Sequence, residues 1–362
     1  IAGNQSSSDD TISKDTVFGD NADGSDEGIT ADIIDASDSG SSQIDNLTND
    51  TTPTITGNTD ANSEVVITNA SGDVVGTATA DDQGNYSITT SELNEGSQDL
   101  TITATDTTGN VTSTVQSIEV DTSTSNDVDI TDESGDNVVN ASEVNNSDIA
   151  GNVEAGSTID ELTITDGVNT VTVNTEDIIL NEDGSYSIDN VDLSTLNDGE
   201  LITSITSTDI AGNQSTSTDT ISKDTVFGDN TDGNDEGITA DIIDTSDTGN
   251  SQIDNLTNDS TPTITGVTDA NSEVVITNED GVEVGSAISD ENGNYSITTI
   301  ELSEGSQDLT ITATDTTGNI TSTTQSIEID TQIDAPMIVN MVDTQGDMSE
   351  IIASGTGSEA GN

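Results

Sequence analysis

The sequence predicts an all-β protein made of tandem β-sandwich domains. Short runs alternate apolar and polar residues, as in DLTITAT at 99–105, and break at turns rich in Gly, Asn and Asp. The chain also repeats itself: Pro53, Tyr86 and Asp121 return as Pro262, Tyr295 and Asp330, at a constant offset of 209. A shorter period lies inside this one. SKDT, EVDT, SKDT and EIDT place Asp15, Asp121, Asp224 and Asp330 at spacings of 106, 103 and 106, and a unit of about 105 residues suits one sandwich.

The order of units is therefore A–B–A. Residues 1–14 read as the end of a preceding domain, 15–121 as the first A unit, 122–224 as B and 225–330 as the second A unit. Residues 331–362 read as the incomplete start of another domain, and the opening IAGN lies mid-motif, as expected of a segment of something longer. Residues 1–121 and 210–330 differ at 23 of 121 positions, six of them within 71–80, which marks an exposed hairpin there.

Within the first A unit the alternation predicts strands at 53–57, 64–69, 73–80, 85–90, 99–105 and 111–120. Leu100, Ile102 and Ala104 face inward, and Thr101, Thr103 and Thr105 form an outer face suited to a strand. NASGD, DDQGN, NEGSQ and DTTGN are the intervening turns. Tyr86, Tyr186 and Tyr295 each follow a Gly turn and are expected in the core, with Phe18 and Phe227 packing at domain starts.

Composition narrows the function. With 72 Asp+Glu against 2 Lys+Arg, the net charge is −70. Such a polyanion cannot neutralise phosphates and is repelled by anionic lipid, so nucleic acid is not an expected partner. No apolar run reaches the roughly 18 residues of a membrane helix, so no membrane insertion is expected of this segment. The chain has no Cys and no His, which removes disulfides and the usual zinc ligands. No nucleophile–base set or phosphate loop is visible, so the protein is not expected to be an enzyme. The natural partners are cations.

With strands alternating in direction, the linker and three turns fall at one end of each unit. In the first A unit these carry Asp15, Asp60, Asp81 or Asp82, and Asp106 with Asn110. In B they carry Asp121, Glu154, Asp183, and Asp209 with Asn213. In the second A unit they carry Asp224, Asp269, Asp290, and Asp315 with Asn319, and Asp330 opens the next junction. Carboxylates gathered at a junction repel unless a counter-ion binds. Ca²⁺ fits, because it takes 6–8 oxygen ligands in flexible geometry, whereas Mg²⁺ demands a tighter octahedron. Each Asp can also serve simply as the acceptor that closes its own turn. The loop GDNADGSDEG, repeated as GDNTDGNDEG, is either a second calcium loop, with Asp20, Asp23 and Asp26 and the repeat's Asp229 and Asp232, or a solvated acidic loop. Asp136 and Glu143 are the weaker candidates of B.

The order of linker KDT/VDT, then NDTTPTITG, then DxxGNYS, then TITATDxxGN resembles the bacterial Ig-like repeats of very large calcium-dependent adhesins, of the RTX and biofilm-associated type. The match is good over the two A units and looser over B, through DNVVNASE, GSYSI and STDIAGN; the junctions carry DTVF or DTST in place of the DTTAP usual in such repeats. The resemblance implies tandem immunoglobulin-like β-sandwich domains in an extended array, secreted to the bacterial cell surface and stiffened by calcium. Such a stalk projects an adhesive region, elsewhere on the parent chain, towards a host or surface ligand, in cell adhesion or biofilm formation. The alternative is that the repeats themselves bind a glycan or protein ligand. Against it, the surface is Thr, Ser and Asp, whereas interfaces favour aromatics and Arg.

Overall fold

A computed structural model describes residues 14, 15, 17, 18, 28–228, 237–249 and 251–332. The chain divides into two compact units, Ile1–Thr225 and Val226–Asn362. Among the described residues the regular structure is β throughout, apart from one 3-10 turn at Thr175–Asp177.

The first unit begins with strands β1 (Asp32–Ile33), β2 (Leu47–Thr48), β3 (Thr54–Asn58), β4 (Glu64–Thr68), β5 (Val74–Thr79), β6 (Asn85–Thr89), β7 (Gly96–Thr105) and β8 (Val111–Val120). They form a three-stranded sheet, β1-β3-β6, and a five-stranded sheet, β2-β8-β7-β4-β5. All pairs are antiparallel except β2 on β8. The chain thus opens on one sheet and crosses to the other through residues 34–46, with Asn46 in the left-handed region at φ 62° just before β2. These two short strands were not foreseen, because DI and LT are too brief to show alternation.

The inner faces close one core. Leu100, Ile102 and Ala104 of β7 are fully buried against Ile55, Val65 and Ile67. Each buried Leu or Ile contributes about 1.5–3 kcal/mol through apolar area removed from water. Tyr86 is buried in this core, and its hydroxyl donates to the Thr30 carbonyl at 2.5 Å. Gly57 makes room for that bond, since a Cβ there would lie 1.9 Å from the Thr30 oxygen. Desolvation pushes the Tyr86 phenol up to about 12. The variable 71–80 stretch contains β5, an edge strand of the five-stranded sheet.

A second core in the same unit spans Val128 to Ile221. Its five-stranded sheet orders Val138–Val139, Gln214–Lys223, Gly199–Thr208, Thr158–Thr165 and Thr170–Thr172. The facing sheet has four strands, because Ile179–Leu180 adds to Ser185–Val191, Ser147–Asn152 and Asp129–Thr131. Tyr186 again bonds a carbonyl, that of Asp127, at 2.8 Å. The second unit repeats the first core with Ile242 to Ile329, the same strand order, and Tyr295 donating to the Thr239 carbonyl. Phe18 packs on the first core and Phe227 on the third.

Candidate metal centre

The backbone fixes Asp121 where β8 ends, because its N–H bonds the Thr48 carbonyl of β2 at 2.9 Å. The next residue is held by the domain just left: Thr122 donates its N–H to Glu95 Oε1 at 3.1 Å and its hydroxyl to Oε2 at 2.7 Å. Two strands of the second core then deliver carboxylates to the same place. Glu154 opens the turn after Ser147–Asn152, closed by Ser157 N–H on the Glu154 carbonyl at 3.0 Å. Asp209 follows Gly199–Thr208 and opens the turn DIAGN, in which Gly212 takes φ 91°.

One carboxylate oxygen each of Asp121, Glu154 and Asp209 lies within 4.8 Å of the others. Asp209 is buried, Asp121 half-buried and Glu154 exposed. Asn213 ties the set together. Its N–H donates to Asp209 Oδ1 at 2.8 Å, and its side-chain amide donates to Asp209 Oδ2 at 2.9 Å and to the Asp121 carbonyl at 2.8 Å. Two unit charges about 4.8 Å apart repel by about 0.9 kcal/mol in water and about 3.5 kcal/mol at an effective dielectric of 20. Three such pairs make the position unfavourable without a cation, and oxygen donors alone suit a hard divalent ion.

The corresponding end of the first core is built differently. The Thr108 hydroxyl lies between two carboxylates, 3.2 Å from Asp15 Oδ2 and 2.8 Å from Asp106 Oδ1. Asp106 also accepts the N–H groups of Thr108 and Asn110 and the Asn110 amide. Burial opposes ionisation of Asp106, but the Asn110 and Thr108 donors outweigh it and hold its pKa at about 2. Asp15, Asp60 and Asp106 do not close to the spacing of the Asp121 set. In DIAGN, Ala211 replaces Thr108 and leaves no hydroxyl between the acids. The Ala211 carbonyl instead accepts the Ser39 hydroxyl at 2.5 Å, and a Cβ on Gly40 would lie 2.0 Å from the Ile210 carbonyl oxygen. The first core's 34–46 loop therefore rests directly on the turn that carries Asp209.

Several sequence-predicted residues act as turn acceptors. Asp81 Oδ1 takes the N–H of Gln83 and Asn85, and Asp290 Oδ1 takes those of Asn292 and Asn294. Asp183 accepts the Ser185 N–H and hydroxyl and is not a member of the triple. Asp82 is exposed beside Asp81. Asp60 and Asp269 are buried at positions matching Glu154. Asp315 accepts from Thr317 and from the N–H of Asn319, which is itself buried. Asp224 and Asp330 each donate a backbone N–H to the strand that matches β2, at the Val139 and Thr257 carbonyls. Glu143 is buried with both oxygens occupied by the N–H groups of Ser134 and Asn140, while Asp136 lies against Asp132. Asp20, Asp23, Asp26, Asp229 and Asp232 lie outside the described residues, as does 333–362.

Sequence reasoning missed the Glu95–Thr122 clamp. It recurs as Asp198 with Thr225 and as Glu304 with Thr331, each pair 27 residues apart. The recurring acid before Thr-binding linkers at that fixed separation is the signal that could have found it. Between strand and linker in B, Lys223 adds an ion pair to Asp198 at 2.9 Å.

The bacterial Ig-like domain family matches residues 26–122 and 236–331. The chain belongs to this family. Among the solved structures similar to this Ig-like chain are three from bacterial or large adhesion proteins. A tetra-tandem repeat from the extending region of a large adhesion protein is 24% identical, covers 84% of this chain and 74% of its own, and has a TM-score of 0.27. A structure described for host cell surface retention of a 1.5-MDa bacterial ice-binding adhesin is 19% identical, covers 83% and 98%, and has a TM-score of 0.39. A Ca²⁺-stabilized adhesin with which an Antarctic bacterium binds ice is 20% identical, covers 83% and 73%, and has a TM-score of 0.38. No curated protein matches the chain.

Proposed function

We propose that this chain is a calcium-rigidified stalk segment of a large bacterial cell-surface adhesin, with a mechanical rather than a catalytic role. The observation that carries the reading is the position of the Asp121–Thr122 dipeptide. Thr122 is clamped by Glu95 of the preceding sandwich, while Asp121 meets Glu154 and Asp209 of the following one. A divalent cation at that triple would link the linker to two strand ends of the next domain, so that bending the junction would break metal–oxygen bonds. The domains on this reading are 15–121, 122–224 and 225–330.

Extracellular calcium modules bind at about 10⁻⁴–10⁻³ M. At about ten times that constant, one site stabilises the folded state by about 1.4 kcal/mol. The stalk would project an adhesive region carried elsewhere on the parent protein, in surface attachment or biofilm formation. The test is small-angle scattering and thermal melting of the chain in 5 mM CaCl₂ and in EDTA. Chelation is expected to shorten the maximum dimension and lower the melting temperature of the middle repeat; profiles unchanged by chelation would overturn the proposal.

A further inference from the structure

In the first repeat, the loop between β1 and β2 seats on the DIAGN turn of the middle one. The Ser39 hydroxyl accepts the Asn49 N–H at 2.7 Å and donates to the Ala211 carbonyl at 2.5 Å. Two glycines let the backbones meet, Gly40 at φ 82° and Gly212 at φ 91°. A Cβ on Gly40 would lie 2.0 Å from the Ile210 carbonyl oxygen, and one on Gly212 would lie 3.1 Å from the Gly40 nitrogen. Ala211 is fully buried at this seat, whereas Thr108, at the matching place in the first repeat's own turn, is exposed.

The last repeat carries the same loop uncovered. Half-buried Ile34, Ser39, Leu47 and Asn49 of the first repeat are matched by exposed Ile243, Thr248, Leu256 and Asn258. Space is open at Gly249, where the atom nearest to a Cβ beyond the chain neighbours is the Ser251 carbonyl oxygen at 3.8 Å. Thr248 keeps the pose of Ser39 by accepting the Asn258 N–H at 2.8 Å, but it turns its proton onto the Asn258 side-chain oxygen at 2.8 Å. Two apolar side chains and a hydroxyl donor are thus exposed together where the first repeat is covered. In B the matching strands are joined by residues 132–137 alone, so the surface belongs to the A repeats.

We propose that this loop of the A repeats is a docking surface, working without metal, for a DxAGN turn of the repeat that follows. In the first A repeat it holds the turn that carries Asp209. In the last it receives the corresponding turn of the next repeat of the parent protein, a partner that rests on the stalk reading above. The seat consists of one hydroxyl–carbonyl bond and backbone packing across two glycines, and none of these contacts needs a carboxylate. It also selects its partner. A DTTGN turn puts the branched side chain of Thr where Ala211 lies buried, and the chain pairs the features accordingly: the A loop precedes the Ala211 turn, while B, without the loop, precedes the repeat whose turn carries Thr317.

Hydrogen exchange of the full chain in EDTA reads the seat, because the second loop serves as an internal reference. The Asn49 amide is expected to exchange about tenfold more slowly than the Asn258 amide. In Gly40→Val the two rates should converge, and they should converge also in Ala211→Gln, which leaves the loop itself untouched. Equal rates in the parent overturn the proposal, and so does a difference that survives Ala211→Gln. EDTA removes any junction ion, so this result is separate from the calcium reading: scattering and melting unchanged by chelation would overturn that reading and leave the seat standing. Adding a second copy of residues 122–224 after Asp330 should slow the Asn258 amide to the rate of Asn49. No slowing overturns the assignment of the open seat. Protection of Asn258 that rises with the concentration of the unextended chain would give the seat to a second copy and overturn it as well.

Discussion

Glu154→Gln should stabilise the protein in EDTA and lose most or all of that advantage in calcium. Glu154 is exposed, and its part in the triple is charge at short range to Asp121 and Asp209. Without cation, the substitution removes two like-charge pairs at about 4.8 Å, each costing about 0.9 kcal/mol when solvent screens them. The variant should therefore be about 1–2 kcal/mol more stable than the parent in EDTA. In calcium at about ten times the parent's binding constant, the parent gains about 1.4 kcal/mol that a weakened site does not. The advantage should then shrink to nothing or reverse. For a sandwich of about 100 residues, 1 kcal/mol moves the melting midpoint by about 4–8 °C. Differential scanning calorimetry of both proteins in EDTA and in CaCl₂ resolves the narrowing of the gap. A variant that is equally stable to the parent in both buffers would refute the reasoning, because neither repulsion nor coordination would then act at Glu154.

Other perturbations separate the clamp, the core and the turns. Glu95→Ala removes two charge-assisted bonds to Thr122; it should cost about 1 kcal/mol at this exposed position and speed hydrogen exchange at the Thr122 amide, and unchanged exchange would remove the clamp from the account. Gly57→Ala sets a Cβ 1.9 Å from the Thr30 carbonyl oxygen and 2.6 Å from the Tyr86 hydroxyl, so chemical denaturation should show a loss of about 3 kcal/mol or more. Asp106, held at about 2 against an ordinary 3.8, stabilises the ionised fold. That contribution is complete above the unfolded value and is lost as pH falls through the folded one. The stability gap between the parent and Asp106→Asn should thus close between about pH 4 and pH 2, followed by denaturation across that range.

The strands were legible because Val, Ile, Leu and Thr alternate with so little noise. The span 53–57 against Thr54–Asn58, and 111–120 against Val111–Val120, show how closely pattern and ladder agree. Repetition made the position of Glu154 legible too, since it occupies the place of Asp60. What sequence could not separate was one aspartate from another. Asp81 and Asp290 cap DxxG turns by local hydrogen bonds, and Asp209 opens a turn of the same kind yet also meets two distant carboxylates. That difference depends on where linker and neighbouring turn arrive in space, and on Ala211 standing where the first repeat has Thr108. The clamp residues were missed because Glu95 and Thr122 meet only once β7 and β8 have paired.

The most direct measurement is a crystal structure of residues 15–224 grown in ample calcium. The account predicts ion density bound by oxygens of Asp121, Glu154 and Asp209 at about 2.3–2.6 Å. Well-ordered carboxylates at those three positions turned to solvent, with only water between them, would contradict it.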